Sequence, residues 1–140
     1  MRKLIILLII GNLLATKEDI VNVLNKYNEA FIAKDYKNII KNFDLPTSFN
    51  LSSKTINASN KLKLNLIYRK LIGDLPEYYS YSKWDDIKVE IIDKSIAIAY
   101  TQFSRYKKDN SIFYKGSVIY FLRKIDTEWK IFSLTPYNNI

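Results

Sequence analysis

The sequence predicts an α+β domain, in which helices come first and a mostly antiparallel sheet follows. In the first half of the chain, apolar residues recur with the spacing of amphipathic helices, whereas from about Tyr78 onward they alternate with polar residues as in strands. Residues 95–134 hold three strand-like runs in succession, separated only by short polar turns at Asp109-Asn110 and Asp126-Thr127. Such a succession is typical of a β-meander, and helices followed by strands indicate the α+β class.

The length and composition indicate one domain after a short leader. A chain of 140 residues, 48% of them apolar, is long enough to bury a single core. Residues 1–15 carry two basic residues, an apolar run and then the small Ala15, a pattern typical of a secretory signal. We expect cleavage near Ala15, which would release residues 16–140 as a periplasmic or secreted single domain.

Two alternatives to a cleaved signal are a buried or amphipathic first strand and an uncleaved anchor. The apolar run is shorter than the roughly 20 residues that a membrane-spanning helix needs. We therefore expect no membrane span in the mature chain.

The first helix is predicted over residues 16–33. Thr16 and Asp19 have the spacing of a capping box, with Asp in place of Glu or Gln, and acidic residues in the first turn suit the positive end of the helix dipole. The apolar stripe predicted to face the core consists of Ile20, Leu24, Tyr27 and Phe31.

Two shorter elements are predicted next. Asp35 can cap a second helix over residues 36–43, which Pro46 prevents from continuing. Alternation over residues 47–51 predicts a short strand, and the polar residues 52–60 are expected to form a loop.

A third helix is predicted from about residue 59 to residue 72, with Gly73 at its C-cap. Strand-like alternation follows over residues 84–92 and leads through Asp93-Lys94 into the meander. In the meander, Gly116 lies in the middle of a strand, where we expect a bulge or a bend.

Charge and missing residue types exclude several functions. The net charge is +8, but the basic residues are scattered and mostly Lys, which favours an ordinary solvated surface and argues against a nucleic-acid partner. The chain has no Cys and no His, which excludes disulfides, thiol catalysis, His general bases and metal sites built on either residue. No nucleotide-binding or dinucleotide-binding motif is present, so we expect no cofactor and no metal.

Three segments carry a resemblance to a known family. They are residues 30–36 (AFIAKDY), residues 43–46 (FDLP) and residues 122–131 (LRKIDTEWKI). In these segments the chain resembles the nuclear transport factor 2-like superfamily, which includes SnoaL-like polyketide cyclases, ketosteroid isomerases and scytalone dehydratases. The resemblance covers about residues 16–134 and implies a cone-shaped fold, with three N-terminal helices packed on a strongly curved sheet.

The resemblance also bears on catalysis. Tyr27 and Asp35 keep the spacing seen in ketosteroid isomerases, and Tyr120 falls near the position of their oxyanion-hole acid. The general-base position, however, corresponds to Leu51, which cannot accept a proton. The resemblance therefore implies two hydrogen-bond donors without a base, and we expect a non-catalytic protein.

Candidate pocket residues come from the eleven tyrosines. A tyrosine on an inward face can line a ligand pocket or pack at the rim of a core. The candidates are Tyr27, Tyr68, Tyr100 and Tyr120. A two-residue turn at Asp109-Asn110 would pair Tyr120 with Ala99 and place Thr101 and Phe103 on its face, whereas a three-residue turn would pair it with Tyr100 and place Tyr100 and Gln102 there.

Three functions remain open on the sequence. The first is an exported domain that binds a small apolar or amphipathic molecule, or a protein partner, without catalysis. The second is a SnoaL-like enzyme acting on a cyclic or polyketide-like substrate, with Tyr27 and Tyr120 as donors and an unrecognised acidic base. The third is a structural homodimer formed through the outer sheet face. Arg105 and Arg123, both in predicted strands, can bind an anion or form surface ion pairs.

Overall fold

The computed structural model describes the backbone of residues 2–139 and the side chains of residues 16–139. Its helices are α1 Arg2–Ile32, α2 Tyr36–Lys41 and α3 Lys61–Gly73. Its strands are β1 Phe43–Asn50, β2 Thr55–Ala58, β3 Tyr79–Ile91, β4 Ile96–Lys107, β5 Ile112–Ile125 and β6 Glu128–Tyr137. The three helices pack on one six-stranded sheet, which confirms the predicted α+β class.

The strand order in the sheet is β2-β1-β6-β5-β4-β3. Strands β3 to β6 form the predicted antiparallel meander. The β1–β2 hairpin joins it through a parallel pairing of β1 with β6. Register shifts interrupt β1–β6, β3–β4, β4–β5 and β5–β6, and such bulges bend a sheet.

Helix α1 buries the predicted stripe. Ile20 and Leu24 are fully buried, and Tyr27 and Phe31 are nearly so. The side chains of residues 1–15 lie outside those described, so the signal segment and its cleavage near Ala15 remain predictions. In the described part of the chain, no helix is both long and apolar enough to cross a membrane.

The segment after α2 differs from the prediction. Helix α2 ends at Lys41, and Phe43 begins β1 instead of ending the helix. Phe43 is drawn into the sheet because it pairs with Ile131 of β6, whose N–H donates to the Asn42 carbonyl at 2.8 Å. The Leu45–Pro46 peptide bond is cis, and Pro46 lies where the β1–β6 register shifts.

The loop predicted over residues 52–60 is wrong in its second half. Thr55–Ala58 forms β2, an edge strand antiparallel to β1, with Thr47 opposite Ala58. Only Ala58 is fully buried in β2. The sequence of β2 therefore has almost no alternation of buried and exposed residues by which the strand could have been predicted. Helix α3 starts later than predicted, with Asn60 as its N-cap, and its C-cap is Asp74 rather than Gly73.

The meander takes the register in which Tyr120 pairs with Ala99. The turn itself spans three residues, because the Lys107 N–H donates to the Ser111 carbonyl at 2.9 Å and Asn110 has a φ of 66°. A register shift between Arg105 and Tyr106 compensates for the extra residue. Strands β3 and β6 are longer than predicted, since β3 starts at Tyr79 and β6 ends at Tyr137.

Candidate functional site

A cavity of about 150 Å³, called the tyrosine cavity below, lies between the helices and the inner face of the sheet. Its wall consists of Tyr27, Asn28, Phe31, Phe49, Tyr68, Leu71, Ser82, Trp84, Phe103, Arg105, Tyr114, Val118, Tyr120, Leu134 and Pro136. Leu71 and Tyr114 are 37% and 45% exposed, so they lie at its mouth. Two wider grooves beside α2, of about 620 and 750 Å³, are lined largely by Lys, Asp, Glu and Asn side chains, which are ordinary on a solvated surface.

Three tyrosines from three different elements meet in this cavity. Tyr27 of α1 and Tyr68 of α3 share a hydrogen bond, with 2.9 Å between their hydroxyl oxygens. The ring of Tyr120 in β5 lies 6.0 Å from that of Tyr27, in an edge-on arrangement. All three side chains are buried, with 8%, 1% and 3% exposure for Tyr27, Tyr68 and Tyr120.

Local sequence patterns explain why these three tyrosines face the cavity. Tyr27 lies on the same face of α1 as Leu24 and Phe31, and Tyr68 follows Leu64 by one helical turn. Tyr120 alternates with Val118 and Leu122 on the inner face of β5. Three of the four tyrosines predicted for the pocket are therefore brought together.

Tyr100 does not line the cavity. It pairs with Lys88 and Ile119, and it lies between the buried Ala99 and Thr101, so alternation along β4 turns its side chain to the other face of the sheet. The register in which Tyr120 pairs with Ala99 instead places Thr101 and Phe103 on the inner face.

Burial determines the protonation of the tyrosine cluster. It raises the pKa of Tyr27, and it raises the pKa of Tyr68 and of Tyr120 well above the usual value for a tyrosine. A buried phenolate is unfavourable because the charge is removed from water. At neutral pH the three hydroxyls are therefore uncharged groups that donate and accept hydrogen bonds, and they do not act as bases.

The position expected to carry a general base lies outside the cavity. Leu51 follows the end of β1 and is 39% exposed. The β1 residue that lines the cavity is Phe49, two positions earlier, whose ring centroid lies 6.0 Å from that of Tyr68. Like Leu51, Phe49 cannot accept a proton.

One side of the cavity is polar. Asn28 donates its side-chain N–H to the Ser82 carbonyl at 2.9 Å, and the hydroxyl oxygens of Tyr79 and Ser82 are 2.8 Å apart. Arg105 lies opposite Ser82 on β3 and opposite Tyr114 on β5, so the three side chains share the inner face. The cavity is thus amphipathic, with an aromatic body and a polar rim.

Gly116 adjoins the aromatic wall. It pairs with Phe103, and a Cβ added to it would lie 2.5 Å from Cζ of that ring. The register shift of this strand pair occurs at Arg105/Tyr106, so the bulge or bend expected at Gly116 is found elsewhere. The missing side chain leaves room for the Phe103 ring beside the cavity.

The lining residues of the tyrosine cavity include no Asp or Glu. In the part of the chain whose side chains are described, no three Asp or Glu residues are close enough together to hold a metal ion. Sequence reasoning missed Phe49, Asn28 and Ser82 as lining residues. Phe49 alternates with the buried Thr47, and that spacing is the one signal that could have identified it.

Solved structures of other proteins share this architecture. The chain superimposes on an NTF2-like protein of unknown function from Pseudomonas putida with a TM-score of 0.74, at 11% identity, covering 90% of this chain and 88% of that one. A protein of unknown function with a cystatin-like fold from Nostoc punctiforme gives 0.73 at 12% identity, covering 86% and 88%. A provisionally assigned scytalone dehydratase from Novosphingobium aromaticivorans gives 0.68 at 11% identity, covering 91% and 86%. At such identities the likeness shows the fold alone.

The sequence places the chain more narrowly within this class. Residues 17–139 match the family model described as NTF2-like protein (DUF6841), and the chain belongs to that family. This confirms the NTF2-like resemblance inferred from its three sequence segments. No curated protein matches the sequence.

Proposed function

We propose that this protein is an exported, non-catalytic domain that binds a small apolar or amphipathic molecule in the tyrosine cavity. The observation that carries the proposal is a cavity with aromatic walls, three converging tyrosines and no carboxylate in its lining. Concave, mostly apolar pockets with a few convergent polar groups are the usual form of a small-molecule site. Export rests on the signal pattern of residues 1–15.

The cavity volume limits the size of the molecule. A protein cavity of about 150 Å³ lined by apolar side chains is known to hold benzene. The volume here is the same, so the buried part of the ligand is expected to be one ring or a short chain. Hydroxyl or carbonyl groups on that part would hydrogen-bond with the tyrosine hydroxyls.

Catalysis of the SnoaL-like type would need a group that moves a proton. The chain has no His, and the cavity wall contributes no carboxylate. The tyrosines hold their protons more tightly than usual because they are buried. These features favour binding over isomerase, cyclase or dehydratase chemistry.

Tryptophan fluorescence provides a direct test. The chain has two tryptophans, Trp84 in the cavity wall and Trp129 in a groove beside α2, so Trp129→Phe leaves one reporter at the site. Titration of this variant with phenylacetamide, a neutral single-ring probe, should give a saturable change in Trp84 emission.

A cavity-filling substitution and its neighbour supply the control for that titration. Val118→Phe adds a ring inside the cavity and should remove the fluorescence change. Ile119→Phe changes the next residue of β5, which faces the other side of the sheet, and should preserve it. Equal binding by both variants would refute the tyrosine cavity as the binding site.

A further inference from the structure

Arg105 is a half-buried cation at the rim of the tyrosine cavity. Its Nε atom is buried and has no hydrogen-bond partner. Among the side chains of residues 16–139, no carboxylate lies within 4.0 Å of its guanidinium. Burying the Nε donor of a cation without an acceptor is unfavourable, so a ligand that supplies an acceptor and a negative charge is favoured at this position.

Arg123 provides a contrast with Arg105. Arg123 also lies in a strand, but its Nη1 atom donates to Oδ2 of Asp44 at 2.9 Å. Arg105 is instead surrounded by rings. Its Cζ atom is 5.1 Å from the ring centroid of Tyr114, 5.2 Å from that of Phe103 and 5.9 Å from that of Phe31.

Those rings hold the guanidinium in position at the cavity. Cation–π contacts fix an arginine side chain while leaving its N–H donors free to bind an anion. The positive charge of Arg105 also acts on tyrosine hydroxyls inside the cavity. Burial raises the pKa of Tyr27 and of Tyr120, and the positive charge of Arg105 partly offsets that rise in both.

From this geometry we infer that the natural ligand is a small organic carboxylate, whose anionic group binds Arg105 at the rim while its apolar part enters the tyrosine cavity. The guanidinium has a planar array of donors that matches the two oxygens of a carboxylate. Asn28 and Ser82 border the same polar side of the cavity. The inference rests on the proposed binding function and specifies its ligand class.

Matched probes test the charge separately from the ring. Phenylacetate and phenylacetamide have nearly the same shape, and only the first carries a negative charge at pH 7. The Trp129→Phe form of the full chain should bind phenylacetate at least about tenfold more tightly than phenylacetamide, as expected for a charge-assisted bidentate contact. Arg105→Gln should remove this preference, because its affinity for phenylacetate should fall to that for phenylacetamide.

Two further variants serve as controls. Arg123→Gln also removes a strand arginine, and it should retain the preference for phenylacetate. Arg105→Lys keeps the charge without the planar fork, and its preference should be intermediate. A cooperative unfolding transition of Arg105→Gln in urea, like that of the unsubstituted protein, shows that this variant is folded.

The outcomes separate the two proposals. If both probes bind equally well to the protein that retains Arg105, or if Arg105→Gln keeps the preference for phenylacetate, the carboxylate inference is wrong and the binding function stands. If neither probe binds, the proposed binding of single-ring molecules is itself wrong, and the carboxylate inference fails with it.

Discussion

The hydroxyl oxygens of Tyr27 and Tyr68 lie 2.9 Å apart, although 41 positions separate the two residues in the chain. The bond joins α1 to α3 at the inner wall of the tyrosine cavity. It gives each buried hydroxyl a polar partner, as buried polar groups require. The same pair therefore contributes to stability and to the form of the site.

Removing one hydroxyl of this pair should destabilise the protein. Tyr27→Phe leaves the Tyr68 hydroxyl buried without this partner, and we expect the free energy of unfolding to fall by about 1–3 kcal/mol. Urea denaturation measures the change. Tyr114→Phe, at an exposed position, is the control and should change the free energy by less than about 0.5 kcal/mol.

The double substitution distinguishes a hydrogen bond from simple packing. If the bond exists, Tyr27→Phe combined with Tyr68→Phe should cost less than the sum of the two single substitutions, because neither member of the pair is left with an unpaired hydroxyl. Additive effects would contradict the Tyr27–Tyr68 bond.

Stability should also depend on alkaline pH. The pKa values of Tyr27, Tyr68 and Tyr120 are raised by burial above the ordinary value of 10.0, so the folded state holds these protons more tightly than the unfolded chain. The contribution of these groups to stability is fully present below about pH 10 and is lost as the pH rises above it. The slope is at most about 1.4 kcal/mol per pH unit for each tyrosine.

Comparison with a tyrosine variant isolates this effect from the titration of lysines. The loss of stability between pH 9 and pH 11.5, measured by urea denaturation, should be smaller for Tyr68→Phe than for the unsubstituted protein. Tyr78→Phe, at an exposed position, should leave the pH dependence unchanged. The same dependence in all three proteins would mean that Tyr68 ionises as readily in the folded state as in the unfolded one.

A methyl group at position 116 should disturb the cavity wall. In Gly116→Ala the new Cβ would lie 2.5 Å from Cζ of Phe103 and 2.9 Å from Cε1 of Tyr114, so these rings must move. We expect a loss of about 1–3 kcal/mol in the free energy of unfolding, as for other overpacked sites, together with weaker binding of phenylacetamide. Lys115→Ala, at the exposed neighbouring position, should affect neither quantity.

Export is tested at the N-terminus of the protein isolated from cells. If residues 1–15 form a cleaved signal, mass spectrometry of the intact protein should give a chain that begins at Thr16. A chain that still carries residues 1–15 would contradict cleavage after Ala15.

Much of the fold could be predicted because single segments carry strong periodic patterns of apolar residues. The stripe of α1 and the alternation of β4 and β5 each involve several buried residues, so their period is visible in the sequence. The resemblance of residues 122–131 then identified the family. In contrast, β2 has only one fully buried residue. Phe43, predicted at the end of α2, lies in β1 because it pairs with Ile131, 88 positions away in the chain.

The site could be predicted only in part. Tyr27, Tyr68 and Tyr120 were found because each lies on an apolar face, which the sequence reveals. The sequence also predicts Tyr100 in the pocket because it leaves the register of the β4–β5 turn open, and that register decides which face of the sheet Tyr100 occupies. The lack of a partner at Arg105 depends on where every carboxylate lies in three dimensions, and no sequence pattern reports it.

A crystal structure of the protein with phenylacetate would show directly where this ligand binds. We expect ring density inside the tyrosine cavity, against Phe103 and Tyr120, with the carboxylate at the Arg105 guanidinium. Density for the ligand in the groove beside α2 that contains Trp129, with the tyrosine cavity empty, would contradict this expectation.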